Sequence, residues 1–328
     1  MSPIEYRPLG QTGVKVSSLC MGTMTFGREA DEATSAAMFQ RCREVGINFF
    51  DCADVYAGGK SEEILGRLIA GCRNDLIIAS KVFGSTGPGV NDRGLSRRHI
   101  MLAVEGSLKR LNTDRIDVYY LHGFDPAVPM EETFRVLDDL VRQGKILYPA
   151  VSNWSAWQIA KGLGIQTCGG LARFVCIQPM YNLAKRQAEV EILPLALSEK
   201  LAVASYNPLG GGLLTGKYGT KHQPEHGRLV DNATYSRRYG DQMHFDVADR
   251  LTTYAEACGV RPATLAVAWV MSHPALTAAI IGARNPEQLA DSLAALDIKT
   301  TPEWRAEISA LSPEPPPATD RTEDRKTT

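Results

Sequence analysis

The chain has 328 residues, of which 44% are hydrophobic and 22% are charged, and its formal net charge is −1. These proportions are those of ordinary globular proteins, and they exclude a fibrous or largely disordered chain. No block of like charge marks a surface for nucleic acid or an anionic membrane, and no apolar run reaches the roughly 18 residues of a membrane-spanning helix. We therefore expect a globular protein without a nucleic-acid or membrane partner.

The cysteines and the first residues indicate the compartment. Seven cysteines are scattered along the chain without a C-x-x-C pair, and their number is odd. This pattern favours reduced thiols, most of them small core residues, over a disulfide framework. The opening segment MSPIEYRPLG lacks the basic region and apolar stretch of a secretion signal. A cytoplasmic location is expected.

The chain alternates between apolar segments of strand length and segments with helical periodicity. A short hairpin is predicted first, from EYRPLG and VKVSS on either side of QTG, and it is suited to close the bottom of a barrel. Segments such as EATSAAMFQRCREVG carry apolar residues at three- and four-residue spacing, which predicts helices that cover a sheet. Eight strands are predicted, at residues 19–22, 47–51, 76–81, 116–122, 146–152, 174–178, 201–206 and 278–282.

Repeated β-α units form either an open doubly wound sheet or a closed barrel, and periodicity alone does not separate the two. The count of eight favours closure, and the G-x-G-x-x-G fingerprint expected of an open dinucleotide-binding sheet does not occur. The predicted fold is an α/β (β/α)₈ TIM barrel, with residues 1–312 as a single domain. A polar segment at 218–243, after strand seven, is predicted to be a long functional loop. The Pro-rich, charged tail 313–328 is predicted to be disordered.

Ionisable side chains stand at the ends of three consecutive predicted strands. Asp51 ends strand two and Tyr56 follows in its loop, while Lys81 and His122 end strands three and four. Taken singly, such residues are more often structural, but the carboxyl ends of barrel strands form the active-site face, so the four are expected to meet. Lys81 is expected to favour the phenolate of Tyr56, with Asp51 holding Lys81 charged. His122 is expected to orient a carbonyl oxygen or relay a proton.

These segments resemble the aldo-keto reductase superfamily, in the branch related to potassium-channel β subunits, over almost the whole chain. NFFDCADVYAGGKSEEILGRLI is similar to the family signature with Asp and Tyr five apart, and IIASKV and DVYYLHGFD to its lysine and histidine segments. The resemblance implies a catalytic tetrad of Asp51, Tyr56, Lys81 and His122. It also implies reversible, NADP(H)-dependent reduction of aldehydes or ketones to alcohols, with Tyr56 as proton donor.

The same resemblance implies where the cofactor binds. VSNW and IQPMYN look like the segments that hold the nicotinamide, SYNPLGGGLLTGKY like the pyrophosphate loop, and IGARNPEQLADSL like the adenosine segment. Arg284 against a 2′-phosphate would favour NADP(H) over NAD(H). The expected cofactor residues are Gly22, Thr23, Met24, Ser152, Asn153, Gln178, Tyr206, Asn207, Pro208, Leu209, Gly211, Leu213, Gly216, Lys217, Gly282, Arg284, Gln288 and Ser292.

Three positions depart from the family pattern. Cys52 follows the catalytic aspartate where Thr or Ser is usual, Ala150 stands where glycine often precedes V-S-N, and Ser292 occupies a position that is commonly Asn. None of these removes a tetrad group. An apolar substrate pocket is expected, lined by the aromatic residues Phe26, Phe83 and Trp154.

The remaining histidines lack the spacing of metal ligands and are predicted to lie on the surface or in loops, so no metal is predicted. They are His99, His222, His226, His244 and His273. Two other functions stay open beside the carbonyl reductase. One is a dehydrogenase of a sugar or polycyclic alcohol. The other is a cofactor-binding regulatory module with residual reductase activity, because fold alone does not fix function. The oligomeric state is open as well.

Overall fold

The computed structural model describes residues 2–319 and 321, and its centre is a closed barrel of eight parallel strands. A hairpin of β1 (Tyr6–Pro8) and β2 (Lys15–Ser17) comes first. The barrel strands are β3 (Leu19–Gly22), β4 (Phe49–Asp51), β5 (Ile77–Val82), β6 (Ile116–Leu121), β7 (Ile146–Ser152), β8 (Cys176–Gln178), β9 (Ala202–Tyr206) and β10 (Ala278–Ile281). Each strand pairs with the next along the chain, and β10 pairs with β3, which confirms the predicted (β/α)₈ barrel.

Helices connect the strands and cover the outside of the barrel. They are α1 (Glu32–Glu44), α2 (Lys60–Ile69), α3 (Arg97–Leu111), α4 (Met130–Arg142), α5 (Ala156–Gly169), α6 (Ile192–Glu199), α7 (Arg228–Asp231), α8 (Ala233–Tyr239), α9 (Gln242–Ala257), α10 (Pro262–Met271), α11 (Pro286–Leu293) and α12 (Pro302–Ser309). Within the described part of the chain, no helix is long and apolar enough to cross a membrane.

The hairpin closes the amino-terminal end of the barrel, as its sequence predicts. Leu9 and Val16 are fully buried and belong to the same apolar cluster as the inward-facing strand residues, such as Cys20 and Phe49. Gly10 lies so close to the start of β8 that a Cβ there would meet the Val175 carbonyl oxygen at 2.7 Å. The hairpin therefore covers one end of the barrel, and the cavity described below lies at the other.

The segment 218–243 differs from the loop that its polar composition predicts. It contains α7, α8 and the first residues of α9. Asn232 begins α8, because its side chain accepts hydrogen bonds from the backbone N–H groups of Thr234 and Tyr235. Of the tail predicted to be disordered, residues 313–319 and 321 form no helix or strand, and residues 320 and 322–328 lie outside the described residues.

Most cysteines lie in the core as expected, whereas two of the histidines do not lie where they were expected. All seven cysteines are free, and four of them, Cys20, Cys42, Cys52 and Cys176, are buried. Two histidines predicted to be at the surface or in loops, His99 and His244, are buried in helices instead. Each lies on the inward face of an amphipathic helix, where helical periodicity decides burial more strongly than the polarity of one side chain.

Candidate active site

Four ionisable side chains meet at the carboxyl ends of β4, β5 and β6. The Lys81 ammonium is fully buried and donates to Asp51 Oδ2 at 2.5 Å, to the Cys52 carbonyl at 2.7 Å and to Tyr56 Oη at 3.1 Å. A lysine ammonium has three protons, so these acceptors use all of them and fix the group in one position. Gln178 on β8 donates to Asp51 Oδ1 at 2.8 Å, which holds the second carboxylate oxygen.

The pKa of Tyr56 differs from the expectation that Lys81 makes this phenol more acidic. Burial raises the pKa of Tyr56 to about 12, although the Lys81 charge acts in the opposite direction. Burial also opposes the charge on Lys81, but Asp51 and Tyr56 outweigh it and raise the pKa of Lys81 above its ordinary value. Tyr56 is therefore a protonated phenol held against a permanent cation.

His122 faces the same space from the end of β6. Its ring centroid lies 6.1 Å from that of Tyr56, with the ring planes at 77°, and both residues line one cavity. Burial, reinforced by the Lys81 charge, lowers the pKa of His122 to about 3. The imidazole is therefore neutral, and it can donate one hydrogen bond to a ligand oxygen beside the Tyr56 hydroxyl.

A cavity of about 660 Å³ extends from Tyr56 and His122 to the amino end of α11. It brings together most of the predicted cofactor residues. Those that line it are Gly22, Met24, Ser152, Asn153, Gln178, Tyr206, Asn207, Pro208, Leu209, Gly211, Lys217, Gly282, Arg284 and Gln288. Asp51, Tyr56 and His122 also line it, whereas Lys81 lies buried behind Asp51 and Tyr56.

A network of hydrogen bonds arranges the polar groups near His122. Asn153, in the left-handed region at φ 59°, donates to the His122 carbonyl at 2.9 Å and to Ser152 Oγ at 3.1 Å. Tyr206 donates from its hydroxyl to Asn153 Oδ1 at 2.7 Å, and Ser152 donates to the Gln178 carbonyl at 2.9 Å. Residues at the carboxyl ends of β7, β8 and β9 are therefore joined in one network of hydrogen bonds.

Cationic side chains gather towards the other end of the cavity. Lys217, Arg228 and Arg284 all line it, and burial together with the charges of Arg284 and Arg228 lowers the pKa of Lys217. Arg228 also forms an ion pair of 3.6 Å with Glu29, which follows β3. A cluster of like charges beside an open cavity is suited to bind a polyanion such as a phosphate.

Four predicted cofactor residues do not line this cavity. Thr23 is buried and donates from Oγ1 to the Asp51 carbonyl at 3.1 Å, and Leu213 is buried in the core. Gly216 lies in a neighbouring surface hollow beside α10. Ser292, one of the departures from the family pattern, is buried on the inner face of α11.

The three aromatic residues predicted for the substrate pocket lie outside the cavity lining as well. Phe26 is fully buried, and Phe83 packs against the main core and against Gly123. Trp154 is buried with its ring 5.1 Å from that of Phe124. Phe26 and Trp154 are thus core residues and Phe83 is partly buried against the core, a distinction from a pocket wall that sequence alone does not make.

Sequence reasoning missed several residues that line the cavity. The most polar of them are Arg228, Tyr235 and Arg238 from the segment 218–243, and Arg261 and Asp291, which form an ion pair of 3.5 Å. The unusual length of that segment, with three arginines in it, is the signal that points to the first group. The others are Thr25, Gly212, Thr215, Ala263, Ile280, Ile281 and Ala283.

Comparisons with known proteins agree with this geometry. The profile of the Aldo/keto reductase family matches residues 18–313. A probable voltage-gated potassium channel subunit beta of Arabidopsis thaliana is 38% identical over 304 residues, covering 90% of this chain and 92% of that protein. An uncharacterized oxidoreductase of Bacillus subtilis, YrpG, is 36% identical over 326 residues, covering 95% and 97%. The chain belongs to the aldo/keto reductase family of carbonyl oxidoreductases.

Proposed function

We propose that the chain is an NADP(H)-dependent oxidoreductase that reduces an aldehyde or ketone to the alcohol, reversibly, with Tyr56 as the proton donor. One observation carries the proposal. The Tyr56 hydroxyl, 3.1 Å from the buried Lys81 ammonium, opens beside His122 at one end of a cavity whose other end carries Lys217 and Arg284. A dinucleotide could therefore bind with its phosphates at the cationic end and its nicotinamide beside the proton donor.

The residues around the cavity fit NADPH. Gly282 lines it, and a Cβ there would meet only the Gly22 carbonyl oxygen, at 3.6 Å, so the backbone itself forms the cavity wall. Gly211 and Gly212 have φ values of 70° and 103°, a conformation that favours glycine. The loop beside the cations therefore presents backbone without side chains. The Asn153, Gln178 and Tyr206 side chains would hold the nicotinamide end, and Lys217 and Arg284 the phosphates.

When bound, NADPH supplies the hydride for the carbonyl carbon. Tyr56 donates its proton from Oη to the carbonyl oxygen as negative charge develops there. A phenol with a pKa of about 12 can do so, because an alkoxide is a much stronger base than a phenolate. Lys81 stabilises the phenolate that remains, and the neutral His122 orients the oxygen by a hydrogen bond. In alcohol oxidation the same groups act in reverse.

Arg284 supports a preference for NADP(H). Its side chain lines the cavity close to Lys217, and Gln288 on α11 accepts a hydrogen bond from the Arg284 backbone N–H at 3.2 Å. A guanidinium binds a phosphomonoester through paired hydrogen bonds, and NADH lacks the 2′-phosphate that would take them.

The test follows NADPH and NADH oxidation by absorbance with a panel of aldehydes, ketones, sugars and dicarbonyls, for wild type and Tyr56→Phe. We expect turnover with NADPH, and a loss of kcat of about 100-fold or more in the variant with NADPH binding retained, because general acid catalysis contributes about that much. Tyr6→Phe, at a largely exposed tyrosine outside the cavity, is the control. Full activity of Tyr56→Phe would contradict the assigned role.

A second candidate is a cofactor-binding regulatory module. The names of the relatives in Arabidopsis thaliana and Oryza sativa, both probable voltage-gated potassium channel subunits beta, favour it, with the Oryza protein 36% identical over 326 residues. The same assay separates the two functions. Tight NADPH binding by wild type without turnover of any carbonyl would favour the regulatory module, and sustained turnover favours the enzyme.

A further inference from the structure

One cation of the cavity, Arg238, lies on helix α8 rather than on the strand ends or the glycine loop. Five cationic side chains line the cavity, Lys217, Arg228, Arg238, Arg261 and Arg284. Among the residues that the structure describes, Arg228 and Arg261 each face a carboxylate, whereas the side chains of Lys217, Arg238 and Arg284 form no ion pair or hydrogen bond. The Arg238 guanidinium instead lies over the ring of Tyr235, 5.1 Å from its centroid.

Arg238 lies near Tyr206, because the next residue, Tyr239, is hydrogen-bonded to Asn207, which follows Tyr206. Burial raises the pKa of Tyr206, and the charge that opposes this rise is that of Arg238. Lys217, by contrast, lies within range of Arg284 and Arg228, the cluster proposed to bind the cofactor phosphates. Arg238 therefore interacts with Tyr206 and Arg284 with Lys217, although Arg228 and Arg238 lie over the same Tyr235 ring.

Helix α8 holds Arg238 in this position. Tyr239, the next residue, is fully buried, and its hydroxyl oxygen accepts hydrogen bonds from Asn207 Nδ2 at 2.6 Å and Asn182 Nδ2 at 2.9 Å. Asn207 directly follows Tyr206, whose hydroxyl is bonded to Asn153. The carboxyl end of α8 is thus attached to the surface proposed to hold the nicotinamide.

Tyr235 fixes the other end of α8 against the glycine loop. A Cβ on Gly211 would meet the Tyr235 ring at 2.5 Å, so the ring lies directly on the backbone of residue 211. Arg228 and Arg238 both stack on this ring, at 5.3 Å and 5.1 Å from its centroid. The Tyr235 ring covers one face of the planar Arg238 guanidinium, while its N–H groups stay available for a ligand.

We propose that Arg238 binds an anionic group of the substrate, so that the preferred substrates are aldehydes or ketones that carry a carboxylate or a phosphate. The inference rests on the proposed function, because it concerns the carbonyl compound reduced at Tyr56. Arg238 lines the cavity beside Tyr206 and has no anionic partner among the described residues. The planar guanidinium can therefore donate two parallel hydrogen bonds to a carboxylate or a phosphate in the cavity.

The experiment compares matched pairs of substrates. A series of ω-oxo carboxylates of increasing length is assayed with NADPH against the corresponding methyl esters, and glyceraldehyde 3-phosphate against glyceraldehyde. Wild type is expected to prefer the anionic member by roughly 10- to 100-fold in kcat/KM, mainly through KM, as a hydrogen bond between charged groups would produce. The carboxylate and phosphate arms show which anion is bound.

Two variants and a control assign the preference to one side chain. Arg238→Gln is expected to have similar kcat/KM values for anionic and neutral substrates. Arg238→Lys is expected to keep part of the preference for the anionic member. Arg237→Gln is the matched control, because Arg237 is exposed and its side chain bonds, among the described residues, only to the backbone of its own helix. The ratio in this control is expected to equal that of wild type.

Three results would overturn the inference, and they are distinguishable. Turnover by wild type without preference for anionic substrates would refute it while the proposed function stands. A loss of NADPH affinity in Arg238→Gln, with the substrate ratio unchanged, would assign Arg238 to a cofactor phosphate instead. Absence of turnover with every carbonyl would refute the proposed function, and the inference with it.

Discussion

At the scale of single residues, burial determines the protonation of the two groups that face a carbonyl oxygen. The pKa of Tyr56 is raised to about 12 and that of His122 is lowered to about 3, so neither changes charge near neutrality. We expect kcat/KM for carbonyl reduction to be flat from about pH 6 to pH 9, because Tyr56 stays protonated. For alcohol oxidation, which needs the phenolate, kcat/KM is expected to rise about tenfold per pH unit over the same range.

The measurement is a pair of pH profiles with NADPH and with NADP⁺. A reduction profile that falls between neutrality and pH 9 would show that the Lys81 charge outweighs burial at Tyr56, as the sequence suggested. The residue types of the tetrad can be read from the chain because they stand at strand ends. The direction in which the pKa of Tyr56 is shifted cannot be read from the chain, because it depends on packing by residues from distant segments.

A second prediction concerns Asp54, which is 3% exposed and whose carboxylate oxygens make no hydrogen bond of good geometry among the described residues. Burial, with the nearby Glu62 charge, raises the pKa of Asp54 to about 7, against 3.8 in its ordinary state. The folded state therefore holds this proton more tightly, and its contribution to stability declines as the pH rises from about 4 to about 7. Over that window the loss is on the order of 4 kcal/mol.

Asp54→Asn removes the titration at nearly constant shape. We expect the free energy of unfolding of wild type to decline between pH 5 and pH 8 by about 3 kcal/mol more than that of the variant. Urea titrations at both pH values measure the difference. Equal pH dependence in the two proteins would show that Asp54 stays ionised in the folded state, for example through the Arg110 charge, which lowers its pKa.

At the scale of elements, the sequence predicted regular structure where apolar periodicity dominates. The predicted strand at 146–152 agrees with β7 (Ile146–Ser152), and all eight barrel strands were found within a few residues. The helices α7 and α8 were not predicted, because their residues are mainly polar and their order depends on contacts far away in the chain. For α8 these contacts are the two asparagine side chains, Asn182 and Asn207, that hold Tyr239.

Tyr239→Phe tests this anchor. Removing the hydroxyl leaves the buried Asn182 amide without one of its acceptors, which is expected to lower the free energy of unfolding by about 1 to 3 kcal/mol. We also expect faster hydrogen exchange in residues 233–239, measured by mass spectrometry. Tyr148→Phe on β7 is the control, since its hydroxyl has no hydrogen bond among residues 2–319 and 321. Unchanged exchange in α8 would show that stacking at Tyr235, rather than Tyr239, orders the helix.

At the scale of the whole molecule, the two ends of the barrel are built differently. The carboxyl ends of the strands carry the tetrad and the cavity, and the amino ends are sealed by β1 and β2 over an apolar interior. Stability and chemistry are therefore divided between opposite ends of the same strands, as is general for this fold. The sequence indicated this division, because its polar motifs follow the strands and its hairpin precedes them.

Leu9→Ala tests the division. Leu9 is 0% exposed, its backbone N–H donates to the Val14 carbonyl at 2.8 Å, and its side chain belongs to the barrel-interior cluster. Truncation is expected to lower the free energy of unfolding by about 2 to 5 kcal/mol, measured by urea denaturation, because a cavity opens in a closed core. Val90→Ala, at an apolar residue that is 90% exposed, should leave stability unchanged within about 0.5 kcal/mol.

The kcat of folded Leu9→Ala should equal that of wild type, since the tetrad lies at the opposite end of the strands. A fall in kcat at full folding would mean that repacking of the interior reaches Asp51 and Lys81, and that the two ends are mechanically coupled.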